Sequence, residues 1–198
     1  MPYVVFLNGP PRCGKDMIAA ELTPYLQFSR AKAAAPLKRA LGSLLDLDMQ
    51  GIEDHKETKA PVLQRAGSIE RDTVRQALIS LSEDWAKVRY GEDFFGRILG
   101  RDIANSAARL TVVTDAGFAA EVASVIRRIG WRNCLFIRVH REGCDFTGDS
   151  RSYLTPEGVV QFDLHNNKTK YDAAMMALHM ITRTFADVPL LKEPAWIR

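Results

Sequence analysis

One lysine and two glycines near the start of the chain form the pattern with the clearest chemical meaning. Residues 9–16 read Gly-Pro-Pro-Arg-Cys-Gly-Lys-Asp, which has the spacing G-x-x-x-x-G-K. Glycines let the backbone curl so that successive N–H groups point at phosphate oxygens, and the lysine adds a positive charge. This spacing predicts a loop that binds a nucleoside triphosphate through Gly9, Arg12, Cys13, Gly14, Lys15 and Asp16. For Arg12, a solvated side chain is an equal alternative.

Two aspartates are candidate ligands of Mg²⁺. Asp16 stands where this pattern normally has a serine or threonine that ligates the ion, and a carboxylate can hold Mg²⁺ directly or through water. Asp115 follows the apolar run of residues 110–114, at the edge where open α/β sheets bind ligands. The alternatives are that Asp16 only caps a helix and that Asp115 is an ordinary turn residue.

Several basic residues are candidates for binding a second substrate or the transferring phosphoryl group. Arg141 and Arg151 lie in a long polar loop, residues 140–153, and could neutralise charge that develops during transfer. Four others occur on predicted helices and could hold an acceptor phosphate or a nucleotide backbone: Lys38, Arg39, Arg71 and Arg75. The alternative in each case is an ordinary solvated side chain.

Apolar runs and helical periodicities alternate along the chain, which predicts an α/β fold. Strands are expected at residues 3–7, 110–114, 134–139 and 159–164, and helices at 14–26, from 36 onward, 71–88, 92–107, 119–129 and 171–185. Such alternation predicts a mostly parallel sheet covered on both faces. Residues 51–60 are charged and lack periodicity, so we expect a mobile surface segment that serves as a lid.

The totals favour one soluble domain. The chain has 198 residues, is 46% hydrophobic and carries a formal net charge of +3, a mild excess that suits phosphate-bearing ligands. Three cysteines without a CxxC pair indicate neither a zinc site nor a disulfide framework, so a reducing cytoplasm is the expected location. A helix that spans a bilayer needs about 18 or more consecutive apolar residues. No apolar run in this sequence is that long, so we expect no membrane association.

The chain resembles the bacteriophage deoxynucleoside monophosphate kinases. The resemblance rests on the motifs above and on three further segments: Ala35-Pro36-Leu37-Lys38, Arg75-Gln76-Ala77-Leu78 and Arg138-Val139-His140-Arg141. That family also has Gly-Lys-Asp in its P-loop. The resemblance implies a P-loop NTPase with a nucleoside monophosphate kinase-like three-layer fold and a mostly parallel sheet. It implies ATP and Mg²⁺ as the donor, phosphoryl transfer to a deoxynucleotide, and a location in the host cytoplasm. Its residues match here at the phosphate loop, Lys38, Arg75 and Asp115.

The resemblance further implies a single kinase domain over residues 1–198, with residues 35–107 as a helical acceptor-binding insertion and 140–153 as a lid-like loop. The loop 148–153 departs from the family's usual lid, which leaves the acceptor open. A related reading is a phage kinase that phosphorylates 5-hydroxymethyluracil within DNA, with Asp115 or Asp16 as general base. A third is a nucleotide-binding module without catalysis. The sequence leaves open whether the chain is a monomer or a homodimer.

Overall fold

The computed structural model describes residues 1–56 and 73–191. The chain divides into two compact units. We call Met1–Ala33 with Gly96–Arg198 the sheet unit, and Ala34–Phe95 the helical unit. Apart from Ala34, the helical unit falls within the segment of residues 35–107 that we expected to be an insertion.

The sheet unit contains a five-stranded sheet in the order β2-β3-β1-β4-β5. The strands are β1 Tyr3–Asn8, β2 Ser29–Ala31, β3 Leu110–Val113, β4 Cys134–His140 and β5 Val160–His165. Every pairing between these strands is parallel. The predicted α/β class and mostly parallel sheet are therefore confirmed.

The helices follow the predicted periodicities with small shifts at their ends. In chain order they are α1 Lys15–Glu21, α2 Ala35–Leu45, α3 Met49–Asp54, α4 Val74–Ser80, a π-helical segment Leu81–Lys87, α5 Val88–Tyr90, α6 Phe94–Ala104, α7 Ala119–Ile129, a 3₁₀ turn Trp131–Asn133 and α8 Lys170–Thr184. A capping box formed by Thr73 and Gln76 starts α4. A second one, formed by Thr169 and Asp172, starts α8.

Side chains of β1 alternate between two packed faces of the sheet. Val5 and Leu7 belong to a core cluster with residues of α1 and α8, such as Ile18 and Ala177. Phe6 points the other way and lines a small pocket with residues of α6 and α7, among them Leu99. Helices therefore cover both faces of the sheet, as the predicted three-layer arrangement requires.

Two short elements differ from the sequence-based expectation. The edge strand β2 has only three residues, too few for a period-2 pattern to be recognised. Residues 51–54, expected in a mobile segment, belong to α3. That helix forms because Asp48 caps it by accepting a hydrogen bond from the Gly51 N–H, and because Ile52 is buried. Residues 57–60 of the same prediction lie outside the described residues.

The order of the strands determines where a ligand is expected to bind. From β1 the chain crosses to β2 on one side, whereas from β3 it crosses to β4 on the other side of β1. The connections after the neighbouring strands β1 and β3 thus leave in opposite directions, which makes this pair a topological switch point. In open α/β sheets, ligands bind in the crevice outside the carboxyl ends of such strands.

Within residues 1–56 and 73–191, no helix is both long enough and apolar enough to cross a membrane.

A close backbone contact between α6 and α7 yields a test of this packing. A Cβ atom at Gly96 would lie 2.3 Å from the carbonyl oxygen of Glu121, and neither backbone can easily yield. We expect Gly96→Ala to lower the free energy of unfolding by about 1–3 kcal/mol in urea denaturation, because overpacking outweighs the gain in helix propensity.

The matched control is Gly100→Ala in the same helix. There a Cβ would lie 3.3 Å from Cβ of Arg128 and 3.4 Å from Cα of Val125, which is a tight contact but not the overlap found at Gly96. An equal loss of stability in both variants would contradict the close contact of Gly96 with Glu121.

Candidate functional site

Lys15 begins α1, and its side chain turns back into the loop that precedes it. Its ammonium donates hydrogen bonds to the carbonyl oxygens of Gly9 at 2.7 Å and Pro10 at 2.6 Å. Burial lowers the pKa of this ammonium, and the positive charge of Arg151 lowers it further, while Cys13 opposes the shift. The loop thus holds a partly desolvated cation at the carboxyl end of β1, on the switch-point edge.

The two glycines of the loop are required by close contacts as well as by backbone conformation. A Cβ at Gly9 would lie 2.5 Å from the carbonyl oxygen of Val139. Gly14 has a φ of +100°, and a Cβ there would lie 2.4 Å from Nδ2 of Asn166. Within the described part of the chain, no hydrogen-bond acceptor engages the N–H groups of Gly14, Lys15 or Asp16.

Asp16 is bound to the segment that follows β3. Thr114 donates a hydrogen bond of 2.7 Å to its Oδ1, and the ammonium of Lys32 lies 3.0 Å from the same oxygen. Burial raises the pKa of Asp16, but the hydrogen bond from Thr114 and the charge of Lys32 outweigh it, so that the pKa lies below its usual value. The lowered pKa favours the ionised form of Asp16, and its role in binding Mg²⁺ or in capping α1 stays a prediction.

Asp115 directly follows Thr114, so it lies on the same edge. Its Oδ1 accepts a hydrogen bond of 2.9 Å from the N–H of Ala33, just beyond β2. A carboxylate that accepts a backbone N–H has a fixed orientation, which distinguishes Asp115 from a solvated turn residue.

The residues present suit Mg²⁺ bound together with a ligand. Within residues 1–56 and 73–191, no group of three or more His, Cys, Asp or Glu side chains is arranged to hold a metal ion. Proteins commonly bind Mg²⁺ through only one or two carboxylates, with substrate phosphates and water completing the shell. Asp16 and Asp115 match that donor set in number and chemistry, since both are carboxylates, one in the first turn of α1 and the other just after β3.

Arg151 belongs to the loop between β4 and β5, and Asp149 fixes its orientation. The Nε and Nη2 groups of Arg151 donate to the two carboxylate oxygens of Asp149, the former at 2.8 Å. The methylene groups of Arg151 lie against Gly117, where a Cβ would come within 2.3 Å of the arginine Cδ. The hydrogen bonds that Arg151 donates to Asp149 raise the pKa of Arg151, and the charge of Asp115 also raises it.

The other predicted loop residues have different surroundings. Arg141 and Arg12 are exposed, and Nη1 of Arg141 lies 3.4 Å from the carbonyl oxygen of Arg12. The thiol of Cys13 is fully buried in the core, and burial raises its pKa. Cys13 can therefore contact a ligand only through its backbone, because its side chain points away from solvent.

Two buried asparagines of this site were missed by the sequence analysis. Asn8, the last residue of β1, hydrogen-bonds to residues after β3 and in the β4–β5 loop. Asn166, which follows β5, donates a hydrogen bond of 2.8 Å to the carbonyl oxygen of Cys13. The one available signal was a polar residue directly after an apolar strand, and that pattern is too common to identify a partner.

The predicted acceptor-binding residues belong to the helical unit. The ammonium of Lys38 is buried and forms an ion pair with Glu53, which also lies 3.6 Å from Lys56. Burial lowers the pKa of Lys56, and the charges of Lys38 and Arg75 contribute. Arg39 and Arg75 are exposed on α2 and α4. Arg71 lies outside the described residues, and the acceptor-binding role of the four stays a prediction.

A second cluster of charges joins β4 and β5 near the same edge. Arg138 donates from Nε and Nη2 to the two oxygens of Asp163, at 2.8 and 2.7 Å, and Nε2 of His140 lies 2.6 Å from Oδ1. The hydrogen bond from Arg138 is the main cause that holds the pKa of Asp163 well below its usual range, and His140 contributes. The cluster joins the two strands from which the Arg151 loop leaves and to which it returns.

Comparisons with known proteins find distant similarity among solved structures. No protein-family model matches the chain, and no curated protein matches it. The fold is similar to the unliganded crystal structure of a sugar kinase from Janibacter sp. HTCC2649, with a TM-score of 0.48 and 12% identity, over 91% of this chain and 95% of that one. A likeness this distant shows neither the activity nor the substrate of this chain.

The Asp163 cluster predicts a pH dependence of stability. Its folded pKa is depressed, so its stabilising effect is present above the ordinary pKa of 3.8 and is lost as pH falls through the folded value. We expect Asp163→Asn to lower the free energy of unfolding by about 1 kcal/mol or less at pH 7, because this half-exposed pair is screened by solvent.

The difference between wild type and Asp163→Asn should shrink below pH 3.8, as measured by urea unfolding from pH 7 to pH 2. Asp102→Asn serves as control, because Asp102 pairs with the neighbouring Arg101 and both side chains are exposed. A wild-type to Asp163→Asn difference that stays constant down to pH 2 would contradict the depressed pKa.

Proposed function

We propose that this chain is an ATP-dependent phosphotransferase that moves the γ-phosphate of ATP to a deoxynucleotide, specifically a deoxynucleoside monophosphate. The observation that carries the proposal is the ammonium of Lys15, bound to the Gly9 and Pro10 carbonyls inside a G-x-x-x-x-G-K loop at the switch-point edge. Lysines of such loops neutralise the β- and γ-phosphates of a bound nucleotide.

The loop supports binding of a triphosphate in two ways. The carbonyl oxygens of Gly9 and Pro10 hold the ammonium within the curl, so its flexible side chain is already ordered. The N–H groups of Gly14, Lys15 and Asp16 lack acceptors in the described ranges and are suited to phosphate oxygens. Both features favour a highly charged anion over a neutral ligand.

The transfer step needs more charge neutralisation than covalent chemistry from the protein. The bond between the γ-phosphorus and the oxygen that links it to the β-phosphate breaks, and a bond from γ-phosphorus to an acceptor oxygen forms. Negative charge spreads over the transferring group and the departing ADP oxygen. Lys15 and Arg151 are two cations near this edge, and the charge of Arg151 lowers the pKa of Lys15. Both are suited to neutralise the negative charge of the transferring group.

Arg151 is oriented for such a role by its contact with Asp149. Asp149 engages the Nε and Nη2 edge of the guanidinium, and no acceptor for Nη1 is found within residues 1–56 and 73–191. An arginine fixed along one edge can present its remaining N–H groups to phosphate without a large loss of side-chain entropy.

Asp16 and Asp115 are the residues that would hold Mg²⁺. When bound, the ion would neutralise β- and γ-phosphate oxygens. The low pKa of Asp16 keeps this carboxylate ionised at neutral pH. The hydrogen bond from Ala33 orients Asp115.

The choice of a monophosphate acceptor rests on the resemblance to phage deoxynucleoside monophosphate kinases. The helical unit supports it with Lys38 and Lys56, which both pair with Glu53, since clustered cations favour a further anion. A hydroxymethylated base in DNA is the competing acceptor. The two are distinguished by which molecule receives the phosphoryl group.

The proposal is tested with ATP labelled on its γ-phosphate and Mg²⁺, incubated with each of the four deoxynucleoside monophosphates or with DNA that contains 5-hydroxymethyluracil. We expect label on a monophosphate. Label on DNA alone would reject the monophosphate acceptor while retaining the phosphotransferase. ATP binding without label on any acceptor would contradict the phosphotransferase and favour a binding module.

In the same assay, Lys15→Ala should reduce transfer by about a hundredfold or more, because the charge that neutralises phosphate is lost. Its circular dichroism should match the wild type. Lys170→Ala is the control, since this exposed lysine pairs with Glu21 and is not part of the site. Equal transfer rates for wild type and Lys15→Ala would contradict the assignment of the phosphate loop.

Gly117→Ala tests the position of Arg151 without changing its charge. The new Cβ would lie 2.3 Å from Cδ of Arg151, so the arginine must move. We expect kcat to fall by about tenfold or more, while the affinity for a non-hydrolysable ATP analogue changes little. Gly100→Ala is the control, because the nearest atom to a Cβ there is Cβ of Arg128 at 3.3 Å and its backbone has no positive φ. An unchanged kcat in Gly117→Ala would exclude Arg151 from the transfer step.

A further inference from the structure

We infer that Asn8 is a positioning residue for phosphoryl transfer: its buried amide keeps the loop of Arg151 and the segment after Asp115 in register with the loop of Lys15. This inference rests on the proposed function and adds a residue to it. Asn8 touches neither nucleotide nor acceptor in this account and acts through the backbone of its neighbours.

The amide of Asn8 joins three segments of the sheet unit. Its Nδ2 donates to the carbonyl oxygens of Ala116 at 2.7 Å and Ser152 at 3.0 Å. Its Oδ1 accepts a hydrogen bond of 3.1 Å from the N–H of Leu154. Asn8 itself is the last residue of β1 and is completely buried. One side chain therefore connects the end of β1 with the connection after β3 and with the β4–β5 loop.

The three contacts require an asparagine. Two carbonyl oxygens need two hydrogens from the same nitrogen, and a backbone N–H needs an acceptor. Aspartate has the same shape but offers oxygens to both carbonyls. Leucine also has a similar size, but it satisfies none of the three groups, which would remain buried without partners. Asn8→Asp is thus the variant that changes the hydrogen-bond pattern with the least change in volume.

The contacts of Asn8 surround the site of Arg151. Ala116 lies between Asp115 and Gly117, and the side chain of Arg151 rests on Gly117. Ser152 is the residue directly after Arg151. A shift of either carbonyl away from Asn8 would move a surface on which Arg151 depends.

The other end of the connection is equally short. Asn8 is joined by one peptide bond to Gly9, whose carbonyl oxygen accepts the hydrogen bond from Lys15. The position of Arg151 relative to the Lys15 ammonium therefore depends on Asn8. Since a displacement of about 1 Å can reduce catalysis by about a hundredfold, such a connection has a direct effect on rate.

A double-mutant cycle separates positioning from a general effect on stability. The variants are Asn8→Asp, Arg151→Ala and their combination, assayed with γ-labelled ATP and the four deoxynucleoside monophosphates. We expect Asn8→Asp to reduce kcat by about ten- to a hundredfold with less than about a threefold change in KM for ATP. In the combined variant the two losses of kcat should not multiply, because the arginine through which Asn8 mainly acts is already absent.

The matched control is Asn133→Asp. Asn133 also donates from Nδ2 to a backbone carbonyl, that of Ile129 at 3.1 Å, but it lies after α7 at the amino-terminal end of β4, away from the site. Its kcat should equal that of the wild type. Losses of kcat that multiply in the combined variant, or an unchanged kcat in Asn8→Asp, overturn the inference about Asn8 and leave the proposed function intact. A wild type that transfers no label overturns both.

A second measurement on the wild-type protein applies if Asn8→Asp does not fold. The N–H of Leu154 should exchange with solvent more slowly than that of Thr155, because Oδ1 of Asn8 is a buried acceptor for the first. No acceptor for the second is found in the described residues. Equal exchange rates for the two neighbouring amides would show that the connection is absent in solution and would overturn the inference.

Discussion

The site depends on the position of β1, which pairs in parallel with β3 on one side and with β4 on the other. The register sets Phe6 beside both Val113 and Phe136, so all three strands end at the same edge. Because every interior residue of β1 is buried, its backbone hydrogen bonds have no competition from water and its register is strongly specified. This register determines where the G-x-x-x-x-G-K loop, Asp115 and the start of the Arg151 loop leave the sheet.

Most charged groups at this edge form ion pairs or hydrogen bonds with a neighbouring side chain. Asp149 binds one edge of Arg151, and Lys32 and Thr114 bind one oxygen of Asp16. Pairing of this kind holds the groups in place and keeps them ionised, since each carboxylate has a cation or hydroxyl donor nearby. Lys15 differs because its partners are neutral carbonyls, so it contributes an uncompensated positive charge. That excess is what a triphosphate would neutralise.

Glycines recur around the site because their Cα atoms lie very close to neighbouring backbone or side-chain atoms. Gly9, Gly14 and Gly117 each lie where a Cβ would overlap a neighbour at 2.5 Å or less, namely Val139, Asn166 and Arg151. Only Gly14 also needs glycine for its φ. The loops are therefore packed against one another, and Asn8 and Asn166 supply the hydrogen bonds that such packing would otherwise leave unmade.

The sequence by itself determined the strand, the G-x-x-x-x-G-K loop and the helix, because glycine spacing and apolar runs act within a few residues. It also placed Asp115 at a strand end and predicted the parallel sheet. Which polar groups meet was decided only by the tertiary structure: Thr114 with Asp16, Asp149 with Arg151, and Asn8 with three distant backbone groups. Asn8 and Leu154 are 146 positions apart, and a hydrogen bond over that separation has no local pattern, since it exists only after β1, β3 and β4 have paired.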